Sequence, residues 1–195
     1  MAKPAFLLAC YLLGSLPFGL LAASLKGIDL RKTGSGNIGA TNVLRSVGKW
    51  PALFTLLGDS LKGAAAVCIA RLLGLDAAWQ GMAGFCAVLG HNFSIFLKLK
   101  GGKGVATSLG VMAALSPLSG VFAVAVWLSV AFITRYSSLA ALLAFAALPA
   151  VSYFFGASRP VVFTAAALAL LIIMRHTGNI KRLIRGDERR IGEKT

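Results

Sequence analysis

Seven apolar runs, at residues 4–25, 51–73, 77–97, 104–116, 118–134, 138–156 and 159–174, succeed one another with only short polar or Gly/Pro-containing breaks between them. A helix that crosses a bilayer needs roughly 20 mostly apolar residues, because hydrocarbon tolerates only a backbone whose polar groups are paired internally. In 195 residues, 57% of them hydrophobic and 13% charged, that leaves space for six or seven spans and none for a separate soluble domain. The expectation is an all-α, polytopic integral membrane protein of about seven transmembrane helices, with residues 1–195 forming one membrane-embedded domain. The fourth run is too short for a straight span and is expected to be tilted, partly re-entrant or buried among its neighbours. The first run follows a lone Lys3 and ends in small residues, as a signal peptide does, but no soluble mature domain follows, so it reads as a retained span. Cys10, Cys68 and Cys86 lie within apolar runs, without metal-ligand or CxxC spacing, and read as packing residues.

A net charge of +14 would point to nucleic acid in a soluble protein, but its distribution here is a topology signal and no nucleic-acid partner is expected. Lys26, Arg31, Lys32, Arg45 and Lys49 follow the first run, Lys98, Lys100 and Lys103 the third, and Arg135 the fifth. Arg175, Lys181, Arg182, Arg185, Arg189, Arg190 and Lys194 follow the seventh. Lys3, Arg71 and Arg159 fall on the other side, and Lys62 lies inside a span. Positive residues mark the cytoplasmic face, so the N-terminus is expected outside and the C-terminus in the cytoplasm. For the tail beyond Arg182, orientation and contact with anionic lipid heads explain the charge.

Three of the polar segments carry more than charge. Thr33 to Arg45 (TGSGNIGATNVLR) alternates glycines with short polar residues. Glycines such as Gly36 let successive N–H groups converge on an anion, Ser35, Asn37, Thr41 and Asn42 add neutral donors, and Arg45 supplies a planar fork suited to phosphate. A tight turn capped by Asn and Ser is the plainer alternative. Lys98 to Thr107 (KLKGGKGVAT) places Lys100, Gly101, Gly102, Lys103 and Gly104 at the start of a helix, where free N–H groups favour phosphate. Gly104 follows Lys103 where a Walker A loop has Ser or Thr, so no nucleotide is expected. The third segment, Arg175 to Glu188, continued as a helix, puts His176, Asn179 and Arg182 on one face; a basic amphipathic anchor is the alternative. Asp59 and Lys62, three apart within a span, read as a mutually neutralising pair of structural or functional use. His91 reads as a loop-orienting hydrogen-bonding residue, and Ser138 lies within reach of the same face.

The chemistry is limited by what is missing. The six acids, Asp29, Asp59, Asp76, Asp187, Glu188 and Glu193, form neither a carboxylate dyad nor a metal-ligand cluster by spacing, so no metal or cofactor is expected. Neither His91 nor His176 is followed by an acid five residues on, and no GxSxG elbow occurs. Many anion-stabilising donors with little acid–base machinery suit a reaction with a good leaving group and doubly anionic substrates, such as attack of an alcohol on an acyl phosphate. An organic-phosphate transporter is the alternative, weakened by clustering of the motifs at one interface and by the lack of a visible inverted repeat.

The segments Gly34 to Arg45, Lys100 to Thr107 and Arg175 to Glu188, together with Asp59 and Lys62-Gly63, Gly90-His91 and Arg135-Tyr136 with Ser138, closely resemble the bacterial membrane family of acyl-phosphate:glycerol-3-phosphate acyltransferases. The resemblance implies a seven-helix protein of the bacterial inner membrane, its active site facing the cytoplasm. It would transfer an acyl group from acyl phosphate to the 1-position of glycerol 3-phosphate, giving lysophosphatidic acid and phosphate without a metal or a covalent intermediate, among membrane lipids. It further implies that Ser35, Arg45 and Lys103 are catalytic and phosphate-contacting, that the glycine-rich second segment holds glycerol 3-phosphate, that His176 and Asn179 complete the site, and that Glu188 is structural. Ser94 stands where the family usually has proline and Ala141 where it usually has serine. The proton acceptor is left among His176, Asp59 and the leaving phosphate.

Overall fold

The computed structural model describes residues 3–193; Lys194, counted above with the basic tail, lies outside them. Every regular element among the described residues is helical: α1 (Lys3–Gly14), α2 (Phe18–Ser24), α3 (Ala40–Ser46), α4 (Lys49–Leu72), α5 (Ala77–Asn92), a 3-10 turn (Ile95–Leu97), α6 (Val105–Leu115), α7 (Pro117–Thr134), α8 (Ser137–Phe154), α9 (Arg159–Arg175) and α10 (Thr177–Arg185). Four lengths are long and apolar enough to cross a membrane: Lys3–Ser24, α4, α7 and α8. A fifth results if α9 and α10, bent by 59° at their junction, count as one. The fourth run is the short α6, as its length required.

Three boundaries differ from the sequence expectation. The first run is two helices, because Pro17 offers no N–H and its ring excludes a helical carbonyl. The carbonyls freed at the break are satisfied from elsewhere: Ser94 Oγ donates to Ser15 at 2.7 Å, and Lys62 Nζ to Leu16 at 2.8 Å. The third run stops being α-helical at Asn92, where the Gly101 and Gly102 N–H groups fold back onto the Asn92 and His91 carbonyls. The third polar segment does not continue α9 in a straight line, since His176 has left helical geometry at the bend.

The bundle is tied together by small residues. A Cβ at Gly63 of α4 would overlap the Thr107 carbonyl of α6, and one at Gly110 of α6 the Ser60 carbonyl of α4, so these backbones meet through a glycine on each side. Gly14 and Gly90 do the same for α1 and α5. Val67, Val88, Val111, Met112, Phe145, Leu148, Leu168 and Ile172 fill the middle. Phe132, Leu72 and Phe154 stand more than 80% exposed, an outer surface that only lipid can cover at no cost. Polar segments that the chain order scatters from Thr33 to Glu188 thereby meet at one end.

Candidate active site

The meeting point is a cavity of about 820 Å³ into which all three segments project. Ser35, Arg45, Lys103, His176 and Asn179 line it together, as do Asn37, Thr41, Asn42, Gly104 and Ser138. One flank is apolar, formed by Leu53, Leu56 and Leu57 of α4, Leu109 of α6 and Val124, Trp127 and Leu128 of α7. The α4 leucines and Leu128 are themselves half-exposed to the outside.

The first segment is shaped from within by Asn42. Its Oδ1 accepts the Ser35 N–H at 2.8 Å, while its amide donates to the carbonyls of Asn37, Thr33 and Leu30 at 2.7, 3.1 and 3.3 Å. Asn42 was expected to meet substrate, but loop closure uses its hydrogen-bonding capacity. Gly34, at φ +60°, has to be glycine because a Cβ would run into the Asn42 side chain. This closure turns the Ser35 hydroxyl outward with no partner among the described residues, and starts α3, which carries Thr41 and Arg45 one turn apart.

The second and third segments form a single hydrogen-bonded array. Lys103 Nζ donates to Asn179 Oδ1 at 2.5 Å, and Asn179 Nδ2 donates to Glu188 Oε1 at 2.6 Å. Glu188 also accepts from Ser138 Oγ at 2.6 Å and from Arg182 Nε at 2.7 Å. The carboxylate therefore fixes which way the Asn179 amide points, and hence which atom meets the lysine. Burial pushes the Glu188 carboxyl up, but hydrogen bonds from Ser138, Asn179 and Arg182 outweigh it and hold the group below its ordinary value. Burial pushes the Lys103 ammonium down to about 8, with Arg182 and Arg175 adding to the shift against the pull of Glu188. Beside Lys103, Gly104 adopts φ +83° and its carbonyl accepts the Ser108 N–H, leaving the Val105 and Ala106 N–H groups at the cavity wall without helical partners. His176 is buried, with Nδ1 at 2.8 Å from the Ile172 carbonyl; that nitrogen carries the proton and Nε2 is left to accept.

Four residues expected to touch substrate lie off the cavity wall: Gly36, Lys100, Gly101 and Gly102. The Gly101 and Gly102 carbonyls accept from the Arg175 guanidinium at 3.0–3.2 Å, their N–H groups are bonded to α5, and a Cβ at Gly102 would overlap His91 Nε2. The glycine pair is a backbone seam between α5 and α9, and Lys100 points into solvent.

Beneath that seam Asp59, Lys62 and His91 form a buried cluster. Lys62 Nζ donates to the Leu16 carbonyl at 2.8 Å and lies 2.8 Å from Asp59 Oδ1 and 2.9 Å from His91 Nδ1, which is itself 3.4 Å from the same Asp59 oxygen. The expected pair is thus a three-way tie between the α1/α2 break, α4 and α5. His91 Nδ1 faces Lys62 and Asp59, while its Nε2 lies under Gly102.

The tail does more than orient the chain. Arg189 donates to the Gly34 carbonyl at 2.8 Å and lines the cavity, Arg45 donates to the Arg190 carbonyl at 3.2 Å, and Ile191 pairs with Arg135 backbone to backbone at 2.7 Å. Arg182, placed by the sequence on the face of His176 and Asn179, also lines the cavity, and it is joined by Arg189, Ser137 and Trp127, which the sequence does not single out. Only spatial neighbourhood distinguishes them from other basic, hydroxyl and apolar residues.

The family model described as glycerol-3-phosphate acyltransferase matches residues 4–186. A glycerol-3-phosphate acyltransferase of Jannaschia sp. (strain CCS1) is 54% identical over 188 residues, 95% of this chain and 91% of the relative. That of Dechloromonas aromatica (strain RCB) is 47% identical over 189 residues, 96% of this chain and 96% of the relative. The crystal structure of PlsY (YgiH), an integral membrane glycerol 3-phosphate acyltransferase, in its glycerol 3-phosphate form, superposes with a TM-score of 0.92 at 41% identity, covering 98% of this chain and 96% of that one. With its apolar helices and these relatives, the chain is an integral membrane protein of the glycerol-3-phosphate acyltransferase family.

Proposed function

We propose that this protein transfers an acyl group from acyl phosphate to the 1-hydroxyl of glycerol 3-phosphate, giving lysophosphatidic acid and phosphate, the first step of phospholipid synthesis. The observation that carries this reading is one cavity with two cationic sides and an apolar flank: Ser35, Arg45 and Arg189 on one side, Lys103, Arg182 and the start of α6 on the other, and half-exposed leucines opening toward lipid. Two substrates that each bring a phosphate, one with an alkyl chain, match that division. Relatives named for the activity, and the crystal structures of PlsY in its glycerol 3-phosphate and lysophosphatidic acid forms, support the same assignment.

In this reading the 1-hydroxyl oxygen adds to the acyl carbon, the bond from that carbon to the phosphate oxygen breaks, and the hydroxyl proton passes to the departing phosphate. Cations and N–H groups neutralise the charge on both phosphates, and alignment of the two substrates supplies much of the rate. Neither a covalent intermediate nor a metal is required. His176 acts by keeping Nε2 as an acceptor beside the Lys103–Asn179 pair.

The same proposal carries seven spans, with α5, α6 and α9 completing the four longer ones, an external N-terminus, and the cavity facing the cytoplasm of a bacterial inner membrane. The gathering of the basic segments at one end of the bundle supports it. Purified protein given both substrates should release phosphate and form lysophosphatidic acid, and Lys103→Ala and Arg45→Ala should abolish this while remaining folded. Counterflow of labelled glycerol 3-phosphate in proteoliposomes without acyl donor, and no phosphate release with both substrates, would establish a transporter instead.

A further inference from the structure

Thr41 of α3 and Ser137, the first residue of α8, bring their hydroxyl oxygens to 3.1 Å across the cavity wall. Neither hydroxyl has a further partner among the described residues. Two hydroxyls carry two protons and their mutual contact uses one, so the other is directed at whatever fills the cavity. The neighbouring hydroxyl, Ser138, is already committed to Glu188.

The position of the pair selects what it would hold. One turn along α3 from Thr41 stands Arg45, on the charged side; one turn along α8 from Ser137 stands Ala141, buried on the apolar lining. The pair thus sits on the border between the cationic mouth and the apolar flank. In an acyl phosphate, the group at that border is the carbonyl.

We propose that Ser137, paired with Thr41, is a substrate-positioning residue that donates to the acyl carbonyl oxygen of the acyl phosphate. The inference rests on the cavity being the acyl-transfer site. No proton leaves the hydroxyl. Negative charge gathers on the carbonyl oxygen as the alcohol oxygen bonds to carbon, and returns to the carbonyl when the bond to the departing phosphate breaks. A neutral donor fixed there strengthens as that charge grows. The absence of a hydroxyl at position 141 leaves Ser137 as the hydroxyl of this α8 face that is open to the carbonyl.

The test is steady-state phosphate release with each substrate varied in turn. Ser137→Ala should lower kcat/KM for acyl phosphate by about 10- to 100-fold, at or below the usual loss for one oxyanion donor, with the KM for glycerol 3-phosphate unmoved. Ser137→Thr, which keeps the hydroxyl, should retain activity. Thr41→Val should cost a similar factor, and the double variant should cost no more than the worse single one. Ala141→Ser placed in the Ser137→Ala background should recover part of the loss, which a mere helix-capping role of Ser137 would not allow. Wild-type kcat/KM in Ser137→Ala, or losses that multiply in the double variant without recovery by Ala141→Ser, would overturn the inference. Should Ser137→Ala fail to fold, Thr41→Val alone decides, and an unchanged kcat/KM there overturns it. Full activity in both Lys103→Ala and Arg45→Ala would instead overturn the reading of the cavity.

Discussion

Glu188 touches three donors that serve the cavity, and replacing it by glutamine changes one oxygen into an amide with almost no change in shape. In the wild type, Oε1 accepts from both Ser138 and Asn179 while Oε2 accepts from Arg182. A glutamine oxygen placed at Oε1 sets its NH2 against the Arg182 Nε–H; reversed, it sets the NH2 against the Asn179 amide. Either way at least one donor loses its acceptor. Hydrogen bonds to a charged group are worth about 1.5–3 kcal/mol. The Arg182 side chain is 45% exposed, so solvent screening places the loss near the lower end. At about 1.4 kcal/mol per tenfold, a loss of about 1.5–2 kcal/mol is a drop of about 10- to 30-fold in kcat/KM. The fall should appear in kcat/KM for glycerol 3-phosphate, because the disturbed chain runs from Glu188 through Asn179 to Lys103. Steady-state phosphate release measures it, with a thermal unfolding profile confirming a folded variant. A folded Glu188→Gln protein with wild-type kcat/KM would refute the idea that this carboxylate sets the Asn179 amide.

Three further outcomes are expected. Lys103, pushed down to about 8, loses its cation as pH rises through that value, so activity should fall on the alkaline side in a pH profile of kcat/KM, and Lys103→Arg should lack that limb. Because the folded value lies below the ordinary 10.5, the unfolded chain binds more protons between the two, and this group's contribution to stability rises with pH there; a fall in activity from this cause comes without unfolding from it. Lys62→Met strands the Asp59 carboxylate in a buried site and should cost about 3–5 kcal/mol, with Asp59→Asn/Lys62→Met recovering part of it, as read from unfolding in detergent. Ser94→Pro loses the hydroxyl bond to Ser15 but meets a backbone already at φ −61°, so about 1 kcal/mol lost is offset by stiffening and its melting temperature should stay close to wild type.

The architecture was legible where one property dominates over many residues. Long apolar runs announce the four long apolar lengths, and the 11-residue α6 reads as too short for a straight span. Breaks were harder: Pro17 interrupts a run whose hydropathy never falters, and seven-residue α3 nucleates only because Asn42 closes a loop that reads as pure turn. Ser35, Arg45, Lys103, His176 and Asn179, which line the cavity together, all stand in the segments that the sequence singles out by their glycines and cations. Their division of labour does not show there. Lys100 and Lys103 look alike in sequence, yet Arg175 and His91 draw the intervening glycines into a seam that leaves Lys100 in solvent and turns Lys103 inward. Asn42 and Asn179 are the same residue type in similar settings, one spent on its own loop and the other accepting from the Lys103 ammonium at the cavity wall. The placing of Lys103 and Asn179 depends on contacts between residues 73 and 76 apart, which no local pattern encodes.

The straps made by Glu188 and Arg189 also set an order of assembly. The first polar segment leaves the ribosome before α4, and Lys103 before α7, yet the carboxylate that aligns Asn179 and the guanidinium that clasps Gly34 follow every apolar helix. A nascent chain halted in the membrane before α10 would hold Arg45 and Lys103 in an unfinished vestibule with no clasp on its first loop. The cavity wall is therefore complete only once the residues after the last apolar helix have joined the segments that precede α4 and α7.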